Sequence, residues 1–316
     1  MKKISELVDL RNLLVDTDIE SVTDTFCDFM KTIKSHTDAV ESASGIDKPN
    51  LDDSFFKLQK LSENTSKKFN AYIEELNACI RVNDDELRRN SIKLDQASNS
   101  DPADNILEKV RARESTHHQD TTDLFKERCK LYCDWKYPGM QIRPGYGTWT
   151  RELVDLDPLY LIDTHEELLH EVKNQFNDNY LSRLRFATIS DIDKPIFGQL
   201  PQNQFGLVVV TEFFNQKNIG TIERYLKEIF LLLRSGGVCV FTFNDCDFSE
   251  GVRNSEHNYD CYTPGNEIIN ITKNLGFEMI DRFNSGGTLS WIEIRRPGDL
   301  SSLRGGQTLA KIKVTN

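Results

Sequence analysis

Met140-Gln141-Ile142-Arg143-Pro144-Gly145-Tyr146-Gly147-Thr148-Trp149-Thr150 is the stretch that decides the fold of this chain. An apolar run enters it, two glycines stand at alternate positions, and residues able to open a helix leave it. Glycine lets a backbone turn sharply and approach another group closely, because no Cβ stands in the way. The stretch predicts a strand over 139–143, a tight turn, and a helix over 148–155. Outward from it, β-rich runs at 159–163, 184–190, 205–211 and 238–243 alternate with helical patterns at 165–177 and 220–234. The stretch 193–204 is short and contains prolines, so no full helix is expected there. This alternation predicts an α/β fold whose parallel sheet is covered on both faces. After Gly276 come Phe277–Arg282, the turn Ser285-Gly286-Gly287, and three alternating apolar positions within 288–296, which predict a terminal β-hairpin.

The first part of the chain is written differently. Of 17 glycines only Gly45 precedes Gly139, and Trp135, Trp149 and Trp291 are the only tryptophans. A boundary near 130–135 follows, with a helical region over 1–130, a second domain over 131–297 and a tail over 298–316. In the helical region apolar residues recur every three or four positions, as at Phe69, Tyr72/Ile73, Leu76 and Ile80. Turn chemistry at 44–50 and at 98–102 divides it into three helices, the last running over 103–133. Two arrangements satisfy the stripe: helices packed on each other or on the second domain, or a coiled coil between chains that makes a homo-oligomer.

The net charge of −11 is shared evenly. Residues 1–130 carry 20 basic and 26 acidic side chains (−6), and 131–316 carry 19 and 24 (−5). Nucleic acid is not expected as a partner, because binding a phosphate backbone needs clustered Lys and Arg. No run approaches the roughly 18 apolar residues of a membrane span, so no membrane partner and a cytoplasmic location are expected. The seven cysteines lack a disulfide framework. Cys129 and Cys133 with His117 and His118 lack zinc spacing, and no metal is expected.

The glycine stretch resembles the first motif of class I S-adenosylmethionine-dependent methyltransferases, an acidic residue followed by G-x-G-x-G. Asp163, closing the second strand, resembles the acid that meets the ribose, and Asp191 with Ile192 resembles the adenine contact. Phe205–Glu212 resembles the fourth strand, Leu233–Val238 the turn into the fifth, and Leu275-Gly276-Phe277 the entry to the hairpin. Over about residues 135–296 the resemblance implies a Rossmann-like methyltransferase sheet with S-adenosylmethionine as cofactor. It assigns the ligand to Gln141, Arg143, Gly145, Gly147, Asp163, Thr164, Asp191, Ile192 and Thr211. Two positions depart from the pattern: Gln141 stands where the acid belongs, and Arg143 where the first glycine does. Arg143 could fork onto the methionine carboxylate of the ligand, or fill the crevice while paired with Asp163 or Glu212.

Methyl transfer depends mainly on positioning, sometimes with a base. Glu212 and Asp245 lie where open α/β sheets bind ligands, at the carboxyl ends of strands, although both could equally cap loops. His257 is a candidate base or a solvated loop histidine. The sequence supports two functions. One is a methyltransferase acting on a small molecule, glycan or protein. The other is a structural or assembly protein that self-associates through its helices and keeps a methyltransferase-like domain without catalysis.

Overall fold

The computed structural model describes residues 4–16, 51–190, 193–284 and 289–298. The break foreseen at 44–50, the glycine turn of the hairpin at 285–288, the tail beyond 298, and Asp191 with Ile192 lie outside these residues. The chain divides into two compact units, 1–84 and 85–316. The first contains α1 (Ile4–Asp16) and the start of α2 (Leu51–Ser98). The second contains the end of α2, then α3 (Ala103–Glu114), α4 (Gln119–Leu131) and the sheet. The helices of 85–131 thus belong to the sheet's unit, whereas composition alone places the change near 130–135.

The stop after α2 falls at Ser98–Pro102, as the turn chemistry predicts. The helix expected over 103–133 is two helices. Ser115 Oγ and Thr116 Oγ1 donate to the carbonyls of Ala112 and Arg113 at 2.6 and 2.7 Å, which ends α3.

The strands are β1 (Gly139–Ile142), β2 (Leu159–Asp163), β3 (Leu184–Thr188), β4 (Phe205–Val210), β5 (Leu233–Phe243), β6 (Glu278–Asn284) and β7 (Ser290–Arg295). They form one sheet in the order β3-β2-β1-β4-β5-β7-β6, parallel except for β7, which runs antiparallel to both neighbours. This is the Rossmann-like methyltransferase fold. Period-two alternation assigns each strand's side chains to two cores. On β4, Val208 and Val210 join one core while Leu207 and Val209 join the other, and a register shift before Leu207 puts Phe205 with the first pair; on β5, Cys239 and Phe241 oppose Val238 and Val240.

Three connections place the site. Between β1 and β2 the expected helix is a single 3-10 turn, Thr150–Leu153, because Thr150 Oγ1 donates to buried Gln141 at 2.7 Å and Asp157-Pro158 leads straight into β2. After β2 come α5 (Glu166–Lys173) and the short α6 (Asp178–Leu181) in place of one helix over 165–177, since the Asn177 side chain accepts from Tyr180 N and starts a new turn. Between β4 and β5 runs α7 (Ile219–Leu232), capped by Asn218, whose side chain accepts from Gly220 N and Thr221 N. Then α8 (Ser249–Glu256) and α9 (Gly265–Asn274) lead to the hairpin.

The helix α4 packs on the sheet face that carries Leu207, Val209, Val238 and Val240. Phe125, fully buried, meets Trp149 and Trp291 edge-on at centroid distances of 4.9 and 5.2 Å. Arg128 forks onto Glu293 of β7, both contacts 2.6 Å, and Tyr132 shares the same carboxylate. Glu293 is fully buried, so this fork supplies the counter-charge it needs.

Candidate functional site

At the carboxyl ends of β1 and β4 the chain turns tightly. Arg143 follows β1 with φ 60°, Gly145 and Gly147 have φ 57° and 79°, and Glu212 follows β4 with φ 53°. For the two glycines this region is freely available, but for Arg143 and Glu212 it costs about 1–2 kcal/mol each. Gly147 N donates to the Pro144 carbonyl at 2.9 Å, closing the turn.

Gln141 points into a neutral network. It accepts from Thr150 Oγ1 and its amide lies 3.4 Å from Thr211 Oγ1, which in turn donates to the Arg143 carbonyl at 3.1 Å. A carboxylate at position 141 could accept from Thr150 but could not donate to Thr211, so glutamine is the residue this arrangement requires.

Arg143 is 5% exposed and turns inward. Its Nε lies 3.2 Å from Asp163 Oδ2, an ion pair rather than an aligned hydrogen bond, and its guanidinium sits 5.0 Å from the Phe213 ring centroid. The other oxygen of Asp163 accepts from Thr164 N at 2.7 Å and His165 N at 3.3 Å, which holds the turn between β2 and α5. Thr164 Oγ1 reaches that same oxygen and His165 Nδ1. Above the glycines, α3 and α5 close together through Ile106, Leu107, Val110 and Leu168. A Cβ on Gly145 would meet Val110 at 3.3 Å, and one on Gly147 would meet Phe176 at 3.4 Å.

S-adenosylmethionine, the ligand implied by the resemblance, would meet an Asp163 Oδ2 that is without a hydrogen bond but faced by Arg143. The carboxylate closing β2 is committed to Arg143 and two amides, and Val110 covers Gly145.

Glu212 is 3% exposed and pairs with Arg113 of α3 at 3.0 Å; Arg113 also pairs with Asp260. His117 Nε2 stands 3.5 Å from the second Glu212 oxygen. Burial raises the Glu212 pKa against the opposing charge of Arg113, and it pushes Asp260 up to about 6. Burial, with the positive charge of Arg113, lowers His117 to about 4, so this histidine is neutral at pH 7. Of this buried group, Arg113 and Asp260 were not named from the sequence, and His117 was weighed there only as a metal ligand. The available signal was the helical stripe Ile106, Val110, Arg113, which turns from apolar to charged on one face.

Asp245 does not join this group. Arg282 holds it through contacts of 2.6, 2.7 and 3.0 Å, and Asp245 accepts from Asp247 N, which fixes the loop after β5. His257 lies exposed beyond α8, its Nδ1 2.7 Å from the Arg253 carbonyl and its ring stacked on Tyr259.

Beside the Glu212–Arg113–Asp260 group lies a cavity of about 610 Å³ at the ends of β5 and β7, walled by α2, α3 and α8 and reached by Arg113, Asn215, Asn244 and Tyr259. Asn244 is built into the wall, its amide donating to the carbonyls of Gly251 and Cys261 at 2.9 and 3.0 Å.

No protein-family model matches the chain, and no curated protein matches it. Among the described residues no helix is long and apolar enough to cross a membrane. Solved structures similar to the chain include the putative methyltransferase in complex with the Trm112 methyltransferase activator from Haloferax volcanii, at 13% identity over 62% of this chain and 96% of that one, TM-score 0.47. Others are a SAM-dependent methyltransferase from Aquifex aeolicus (13% identity, 56% and 89% covered, TM-score 0.43) and the N-methyltransferase NodS from Bradyrhizobium japonicum (13%, 57% and 98%, TM-score 0.44). The strand order and the antiparallel terminal hairpin, rather than these distant likenesses, assign the domain the class I methyltransferase fold.

Proposed function

We propose that the chain is an assembly protein that self-associates through its N-terminal helices and carries a methyltransferase-type domain as a non-catalytic binding module. The observation that supports this reading is the buried Arg143–Asp163 pair. It commits the carboxylate at the end of β2 to the protein itself, and releasing it leaves a charge uncompensated in the interior. Calorimetric titration of the full chain with S-adenosylmethionine and S-adenosylhomocysteine tests it. No heat is expected at millimolar ligand, and Arg143→Gly is expected to gain affinity by opening the crevice.

A second reading, an S-adenosylmethionine-dependent methyltransferase acting on a small molecule, glycan or protein, draws support from Gly145 and Gly147. Both hold the left-handed conformation of a ligand-cradling turn, and the 610 Å³ cavity lies at the carboxyl ends of strands beside Glu212. In this reading Gln141, Arg143, Gly145, Gly147, Asp163, Thr164, Asp191, Ile192 and Thr211 serve the cofactor. Native protein then binds the ligand and Arg143→Gly weakens binding, the opposite of the first expectation.

A further inference from the structure

The cavity of about 610 Å³ falls in the roughly 300–1,000 Å³ range of small-molecule sites. Its charges are already matched. Lys109 pairs with Asp101, Arg113 with Glu212 and Asp260, and Glu250 with Arg253 at 2.7 Å. An anionic ligand would have to compete with a carboxylate for each cation, and a cationic ligand with a lysine or arginine for each carboxylate. For the Arg113 group that exchange means stranding a buried charge.

What the walls offer beyond these pairs is neutral. Gln216, Asn254 and Asn258 line it, residues whose amides both donate and accept, and Thr116, whose hydroxyl donates to the Arg113 carbonyl, can still accept. At the rim Tyr259, 68% exposed, lies parallel to the His257 ring, 15° between planes and 5.9 Å between centroids. Backed by His257, the Tyr259 ring is a flat apolar surface with a polar tip. Groups that donate and accept in equal measure suit hydroxyls, which do the same, and a flat ring beside them suits the C–H face of a sugar.

We propose that this cavity binds a neutral saccharide, with the amides of Gln216, Asn254 and Asn258 on its hydroxyls and Tyr259 beneath its apolar face. The proposal names the ligand class of the binding-module reading and rests on that reading.

The test is saturation-transfer NMR on the full chain with glucose, galactose, mannose, N-acetylglucosamine and their disaccharides at millimolar concentration. Glucose 6-phosphate, adenosine and S-adenosylmethionine are run beside them. Transfer to at least one neutral sugar is expected, and Tyr259→Ala and Asn254→Ala should each weaken it about tenfold, the worth of one contact of this kind. Tyr259 is exposed, so its truncation leaves the core intact. Three results would overturn the proposal: no transfer to any sugar, transfer unchanged in both variants, or stronger transfer to glucose 6-phosphate or adenosine than to every neutral sugar. Transfer to S-adenosylmethionine alone would instead sink the binding-module reading, so the two failures are told apart.

Discussion

Arg143→Gly should destabilise the sheet-containing unit even though it puts a glycine where the backbone asks for one. Native Arg143 has φ 60°, and removing its side chain relieves a left-handed strain of about 1–2 kcal/mol. Against that, Asp163 is 1% exposed and loses the guanidinium paired with it, and the cost of breaking a buried pair is about 3–5 kcal/mol. The net expectation is a loss of about 1–4 kcal/mol. Asp163→Asn removes the stranded charge while its side-chain oxygen can still accept from Thr164 N and His165 N. The double variant should therefore recover about 2 kcal/mol or more relative to the sum of the single changes. Urea unfolding followed by tryptophan fluorescence measures this in the right place, since all three tryptophans lie in the unit 85–316 and Trp149 and Trp291 are buried there. If Arg143→Gly matches native stability and the cycle shows no coupling, the pair is not what seals the crevice.

The histidine beside Glu212 sets a pH dependence. His117 is lowered to about 4 from 6.5, so the unfolded chain takes up its proton first, and the contribution of His117 to stability is lost as pH falls from about 6.5 to about 4. Asp260, raised to about 6 from 3.8, acts in the opposite sense, its contribution declining as pH rises through about 3.8 to about 6. His117→Gln should therefore lose less stability than native protein between about pH 7 and about pH 5 in urea titrations, and parallel profiles would refute the assignment. Truncation to 131–316 should yield aggregated protein, because it removes Phe125 from against Trp149 and Trp291 and takes the Arg128 counter-charge from Glu293; a soluble, cooperatively unfolding fragment would contradict this. Light scattering of the full chain should return an oligomer, and a mass lowered to the monomer on removing residues 1–84; a monomeric full chain would refute self-association.

The strands were readable where burial on both faces writes an unbroken apolar run, as in Phe205–Val210, and the hairpin where a glycine pair separates two alternating runs. The lengths of the connections were not. Periodicity marks 148–155 as helical, but only the Thr150–Gln141 contact limits it to one turn. Arg143 was legible as an anomaly with two fates, and its partner Asp163 was among those named for it. Arg113 escaped, and His117 was weighed only as a metal ligand, because their meaning depends on Glu212 and Asp260, which lie 99 and 147 positions beyond Arg113 in the chain. Asp245 looked like a ligand group for the converse reason: Arg282, which occupies it, comes 37 positions later.

The position of β7 governs the order in which the sheet can be completed during synthesis. β6 leaves the ribosome before β7, yet β7 lies between it and β5, so β6 cannot join the sheet until β7 is in place. The helix α4, made long before either, waits for the same event, because its Arg128 and Tyr132 have their carboxylate on β7, 165 and 161 positions away. One late strand thus closes the sheet edge and docks the helix in a single act. A nascent chain held before Ser290 presents an unpaired β5 edge, the kind of exposed strand that recruits other chains.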